Sequence, residues 1–243
     1  MADIEPTDRR RALLALAGAG ALVTLAGCGY EEDGEDVSAT EDMMREHGVL
    51  RRILVAHREA ATMLRAGMRI DARAIADAAD LFRQFGEDYH ERKLEEEHVF
   101  PAVKKAGGAA GALVDTLVAQ HRRGREINLF LIDRCRSGSI ASAGTDAVAR
   151  AMESFARMYE IHAALEDTVV FQAWKKALSK HELDEASEQF EKIERQQFKG
   201  DGFDMGVDRV AEIERRLGIA DLARFTAPAV GQAVTAAPGS GAS

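Results

Sequence analysis

DYHERKLEEEHVFPAVKKA at residues 88–106 and YEIHAALEDTVVFQAWKKA at residues 159–177 decide the reading of the whole chain. In both, a phenylalanine follows a glutamate by five positions and a Lys-Lys-Ala triplet begins four later: Glu95, Phe100 and Lys104 against Glu166, Phe171 and Lys175. A histidine precedes each glutamate, His90 and His162. One more lies upstream of each, His47 at 43 residues before His90 and His121 at 41 before His162. The chain thus repeats a unit of His helix, loop, then His…Glu helix. Two such hairpins about a pseudo-two-fold axis place four imidazoles and two carboxylates in one core.

Helices carry these residues. Among 243 residues, 46% are hydrophobic but only 6% aromatic, with 4 prolines, which disfavours strands, disorder and collagen-like structure. Thr40-Glu41-Asp42 offers an N-cap with acids behind it, and Met43, Leu50, Ile53, Leu54, Met63 and Leu64 recur on one helical face. Ala66-Gly67 ends that helix and Asp71 caps the next, at about 72–105. Gly107-Gly108 and Ser137-Gly138-Ser139 bracket a third at about 112–136, and a fourth runs over about 144–178. The fold expected is all-α: an up-down-up-down four-helix bundle over 40–178. Additional helices at about 180–198 and 204–217 form an extension over 179–226, and an Ala, Gly, Pro and Ser-rich tail over 227–243 reads as disordered.

His162 and Glu166 are i,i+4, about 40° apart on one helix face. Imidazole with carboxylate suits iron, manganese or zinc, and two carboxylates in a four-helix core are the usual bridge of a dinuclear site. Burying two glutamates without a cation is costly. The expected ligands are His47, His90, Glu95, His121, His162 and Glu166.

With Arg45-Glu46-His47, Asp88-Tyr89-His90…Glu95, Gln120-His121 and Tyr159…His162…Glu166 in place, the chain resembles the hemerythrin-like, or HHE cation-binding, family over roughly 40–225. The resemblance implies a non-haem di-iron site, two irons with an oxo or hydroxo bridge, in a protein that binds dioxygen or nitric oxide. The sequence departs from the family pattern at two places that bear on the site. His90 and Glu95 are i,i+5, about 140° apart on a regular α-helix, with Leu94 at i+4, so a π-bulge between Tyr89 and Glu95 is expected. Arg125 stands four after His121, where the oxygen carriers have another histidine. Six ligands remain, leaving room for solvent or a reactant, and Arg125 becomes a candidate neighbour of the site. His57 reads as a partly buried histidine or one behind the ligands, Glu91 as pointing elsewhere, His98 as solvated and Cys135 as a small buried or partly exposed thiol.

Residues 1–27 read as an export signal, with Arg9-Arg10-Arg11 before an apolar run too short to span a membrane comfortably. Leu25-Ala26-Gly27-Cys28 resembles a bacterial lipobox. Lipidated Cys28 would then hold the protein at the cell envelope, with the outer membrane favoured, through an acidic tether over 28–39. The formal net charge of −9, with seven acids in residues 31–42, argues against a nucleic-acid partner. The function expected is gas binding or redox response with an unknown redox partner. Two alternatives stand beside it: a di-iron oxidoreductase of peroxide or nitric oxide, and an interaction module with a structural metal. No tyrosine or cysteine pair poised for redox work is legible, which weighs against the enzyme.

Overall fold

The computed structural model describes residues 37–229. The export signal, Cys28 and most of the tether and tail lie outside them. Helix and turn account for the fold, with no strand among the described residues. The first rod is α1 (Ala39–Arg65). The second is continuous through α2 (Ala72–Leu81), a π-helical stretch Phe82–Val99 and α3 (Phe100–Ala106). The third is α4 (Gly108–Cys135), and the fourth joins α5 (Thr145–Leu165), a π-helical turn Glu166–Val170 and α6 (Phe171–Ala177). Then follow α7 (Lys180–Phe198) and α8 (Gly202–Leu217). No helix of the described residues is long and apolar enough to cross a membrane.

Local chemistry sets the ends of the rods. The cap of α1 is Ser38, not Thr40: its hydroxyl accepts from the Glu41 amide while the Glu41 carboxylate accepts from the Ser38 amide. Asp71 caps α2 as its sequence suggests. Gly107, at φ 76°, turns the chain between the second and third rods, a conformation that favours glycine. The third rod starts earlier than its sequence suggests: Gly108 enters it at φ 67°, and Gly111 lets its first turn come close to the backbone of Val103 and Lys104.

The rods form a ring in which α1 packs on α5 and α2 on α4. The antiparallel α1–α5 seam is marked by arginines seven residues apart. Arg51 pairs with Asp167, Arg58 with Glu160, and Arg65 with Glu153 at 2.6 Å and Asp146 at 3.0 Å. The pairs made by Arg58 and Arg65 are exposed and fix register more than they stabilise.

The α7–α8 hairpin closes one side of the bundle. Phe190 stacks on Trp174 at 5.6 Å, Phe198 meets the Tyr89 ring edge-on at 5.1 Å, and Arg52 grips Glu214 with two bonds of 2.8 and 2.6 Å. Glu194, buried, accepts from the amides of Gly202 and Phe203 at 2.9 and 3.0 Å and so holds the start of α8. Burial first, and then the facing charges of Glu46, Asp201 and Asp42, push its pKa up to about 7 from 4.5. The unfolded chain ionises this group at lower pH than the folded one does. Its contribution to stability therefore falls as pH rises from about 4.5 to about 7 and stays low above that. Amides of α8, corrected for intrinsic exchange, should be better protected at about pH 5.5 than at about pH 8. Glu194→Gln should flatten that difference; equal protection in the parent protein at both pH values would refute the assignment.

Candidate metal centre

The six side chains singled out by the repeat converge at the middle of the bundle, and none is more than 2% exposed. His47 comes from α1, His90 and Glu95 from the first π stretch, His121 from α4, His162 from the last turn of α5 and Glu166 from the π turn that follows. The imidazoles form two pairs, His47 Nε2 to His90 Nε2 at 3.0 Å and His121 Nε2 to His162 Nε2 at 3.1 Å. Each carboxylate spans both pairs. Glu95 puts Oε1 at 3.4 Å from His90 and Oε2 at 3.4 Å from His121. Glu166 puts Oε2 at 3.5 Å from His47 and Oε1 at 2.9 Å from His162.

The winding of the second rod makes this possible. An i→i+5 pattern turns less per residue than an α-helix, so Glu95 falls beneath His90 instead of pointing away. The π winding extends over Phe82–Val99, well beyond the single bulge anticipated, and a second π turn at Glu166–Val170 has no forewarning in the spacing. The same winding turns Glu91 inward, against the expectation that it points elsewhere. Glu91 is buried, and its Oε1 accepts from the Tyr159 hydroxyl at 2.7 Å.

Each histidine is held from behind, through Nδ1, by an acceptor on a neighbouring rod. Asp167 takes His47 at 2.7 Å, Glu46 takes His90 at 2.6 Å, Glu96 takes His121 at 2.9 Å and Gln120 takes His162 at 2.8 Å. An Nδ1–H bonded to an oxygen leaves the Nε2 lone pair facing the centre, ready for a cation. These acceptors follow one rule: each is the chain neighbour of a different candidate ligand. Glu46 precedes His47, Gln120 precedes His121, Glu96 follows Glu95 and Asp167 follows Glu166. Arginines complete the symmetry, four residues after each first histidine. Arg51 pairs with Asp167, while Arg125 donates to Glu96 at 2.6 Å and Glu91 at 3.1 Å. Arg125 therefore stands one bond behind His121. The pseudo-two-fold breaks at one acceptor, the neutral Gln120 opposite Glu46.

His57, the other residue expected behind the ligands, makes no hydrogen bond to them. It is buried against Phe155, with both ring nitrogens unpartnered among the described residues, and burial pushes its pKa down to about 4. His98 is half-buried against Phe190, not solvated. Of the two settings left open for Cys135 the structure has the buried one, and burial raises its thiol to about 11.

The donor set fits a cation. All four oxygens of Glu95 and Glu166 are buried without a hydrogen-bond donor among the described residues, the kind of orphan that protein interiors avoid. Burial and the facing Glu95 push Glu166 well above the usual carboxylate range. Burial opposes charge on Glu95 too, but His90 and His121 hold its pKa low. Donor atoms of Glu95, His121, His162 and Glu166 lie within 4.8 Å of one another, as do those of His47, His90 and Glu95. Beside them runs a narrow pocket walled by Leu50, Leu54, Phe82, Tyr159 and Arg51.

Gly124 sets the approach of α4 to this pocket. A Cβ there would overlap the Tyr159 hydroxyl and lie 2.8 Å from its ring atoms. Gly124→Ala should cost about 1–3 kcal/mol in urea unfolding, as overpacked cores do. A variant as stable as the parent would show that Tyr159 is not pinned there.

The hemerythrin HHE cation binding domain model matches residues 38–174. The uncharacterized proteins Rv1995 of Mycobacterium tuberculosis and Mb2018 of Mycobacterium bovis are each 39% identical over 236 residues, covering 90% of this chain and 90% of theirs. That coverage extends past the end of the domain match at residue 174. No solved structure matches the chain.

Proposed function

The chain belongs to the hemerythrin HHE cation-binding domain family, and on that premise we propose that it is a non-haem di-iron protein of gas or redox response at the cell envelope. The observation that carries this is the span of Glu95 and Glu166 across two imidazole pairs. His47 and His90 would hold one iron and His121 and His162 the other, with one oxygen of each glutamate on each ion. Four protein donors per ion leave coordination positions open, since iron in such N and O sites takes more than four ligands. Ferrous iron there would supply affinity for dioxygen or nitric oxide and the electrons to reduce them.

The residues around it do the rest. Asp167, Glu46, Glu96 and Gln120 fix the four rings. Leu50, Leu54 and Phe82 make the pocket apolar and admit a diatomic gas more readily than an organic substrate. Arg51 makes part of its wall polar, and solvent protons beside a reduced oxygen species would favour electron transfer over reversible carriage. Anaerobic purification, metal analysis and optical spectra through repeated cycles of air and deoxygenation test the reading. About two irons per chain and a spectrum that does not return on deoxygenation are expected. Full recovery over many cycles would make the protein a carrier, and one tightly held metal or none would refute the pair. Attachment through Cys28 is part of the proposal, tested by the lipid mass of the mature N-terminus.

A further inference from the structure

Sequence alone shows no tyrosine poised for redox work, yet the structure places two beside the ligands, each donating its hydroxyl to a buried carboxylate. Tyr89 donates to Glu46 at 2.8 Å and Tyr159 to Glu91 at 2.7 Å. They differ in what else they touch. The Tyr159 ring lies 5.1 Å from the His162 ring and lines the pocket, whereas Tyr89 packs on Phe85 and Phe198, away from it.

We propose that Tyr159 is a one-electron redox site: when a peroxide oxidises the iron pair, the Tyr159 phenol gives an electron toward that pair past His162 and its proton to Glu91, leaving a buried tyrosyl radical. The inference rests on the di-iron reading above.

Four features support it. The proton acceptor is in place, with Glu91 Oε1 against the phenol and Oε2 anchored by Arg125 at 3.1 Å. The hydroxyl already points at that acceptor, so electron and proton can leave the phenol together. Phe82 and Phe155, each at 4.7 Å, shield the ring, which is 4% exposed, and so protect a radical from solvent. The asymmetry of the centre also favours this tyrosine. A carboxylate behind an imidazole makes it a stronger donor, which stabilises oxidised iron. His162, backed by neutral Gln120, is the weaker donor, so the ion it holds is the more oxidising of the two. Tyr159 adjoins that half and Tyr89 the other.

The step balances with peroxide as the oxidant. Each chain consumes two hydrogen peroxide molecules, each of which accepts two electrons and two solvent protons, breaks its O–O bond and leaves as two waters. The first takes both electrons from the diferrous pair; the second takes one from the Tyr159 phenol and one from added ascorbate, a one-electron reductant. At each tyrosine the O–H bond breaks and an O–H bond forms on Glu91.

The test is freeze-quenched electron paramagnetic resonance of diferrous protein mixed anaerobically with hydrogen peroxide and ascorbate, with iron content measured on every sample. A tyrosyl signal is expected in the parent protein and in Tyr89→Phe, and none in Tyr159→Phe. Glu91→Gln should slow its formation about 100-fold, the ordinary contribution of a positioned proton acceptor. Parent protein grown with β-deuterated tyrosine should show a narrowed signal, which guards against a variant that loses iron or fold. Loaded parent protein with no signal, a signal that does not narrow, or one that survives in Tyr159→Phe overturns this inference alone. Parent protein that takes up no iron overturns the di-iron reading and this one with it.

Discussion

Glu166→Ala should lower metal loading to at most about one ion per chain and weaken whatever remains by at least 10–100-fold, the loss known for outer partners that touch no metal. The reason is that Glu166 faces both imidazole pairs, with Oε2 at 3.5 Å from His47 and Oε1 at 2.9 Å from His162. In the proposed di-iron site, removing it would take a donor from each ion at once, whereas removing one histidine would take a donor from one. The metal-free protein should respond in the opposite direction. Its Glu166 carboxyl is buried with no donor among the described residues and faces Glu95. Glu166→Gln removes an ionisable group from that place and should leave metal-free stability equal or higher. Metal analysis after gel filtration reads the first effect and urea unfolding in chelator the second. His181→Ala, on an 83% exposed side chain, serves as the control. Undiminished loading in Glu166→Ala would refute the shared role.

Removing the metal should be the largest single loss of stability available to this fold. The paired Nε2 atoms, 3.0 and 3.1 Å apart, leave room for at most one proton between the members of a pair, and the four carboxylate oxygens beside them are buried without a hydrogen-bond donor among the described residues. A cation between them relieves all of these at once. Binding to the folded state alone stabilises it by about 4 kcal/mol per ion at a thousandfold excess over Kd. At about 2–4 °C per kcal/mol for a chain of this size, two ions correspond to a Tm higher by roughly 15–30 °C. Calorimetry of loaded and chelated protein measures this, and the gap should shrink in Glu166→Ala. Equal Tm values would mean that the six side chains hold no ion.

Much of this centre is legible in the sequence because its code is local. Helix ends are written in short-range chemistry, at Asp71, Gly107 and the Ser137-Gly138-Ser139 break. The candidate histidines and glutamates are legible because the unit occurs twice, and a chance His–Glu pair would not bring its Phe and Lys-Lys-Ala with it. Even the non-α winding of the second rod follows from one extra residue between His90 and Glu95, since only i→i+5 winding returns Glu95 to the His90 face.

What tertiary structure alone decided is everything that crosses between rods. The acceptors behind the imidazoles sit beside ligands in the chain, at Glu46, Glu96, Gln120 and Asp167, yet each serves a histidine on another rod. Which histidine each one serves depends on the order and rotation of the rods, and helical periodicity within one rod carries no information about its neighbours. The inward turn of Glu91, the slot at Gly124 that admits Tyr159, and the docking of α7–α8 on Tyr89 belong to the same class. Sequence determined which atoms could bind a metal, because that is a property of residue type and spacing along one helix. The packed bundle determined which carboxylate, amide or phenol stands behind each of them, because that is set by distances between helices.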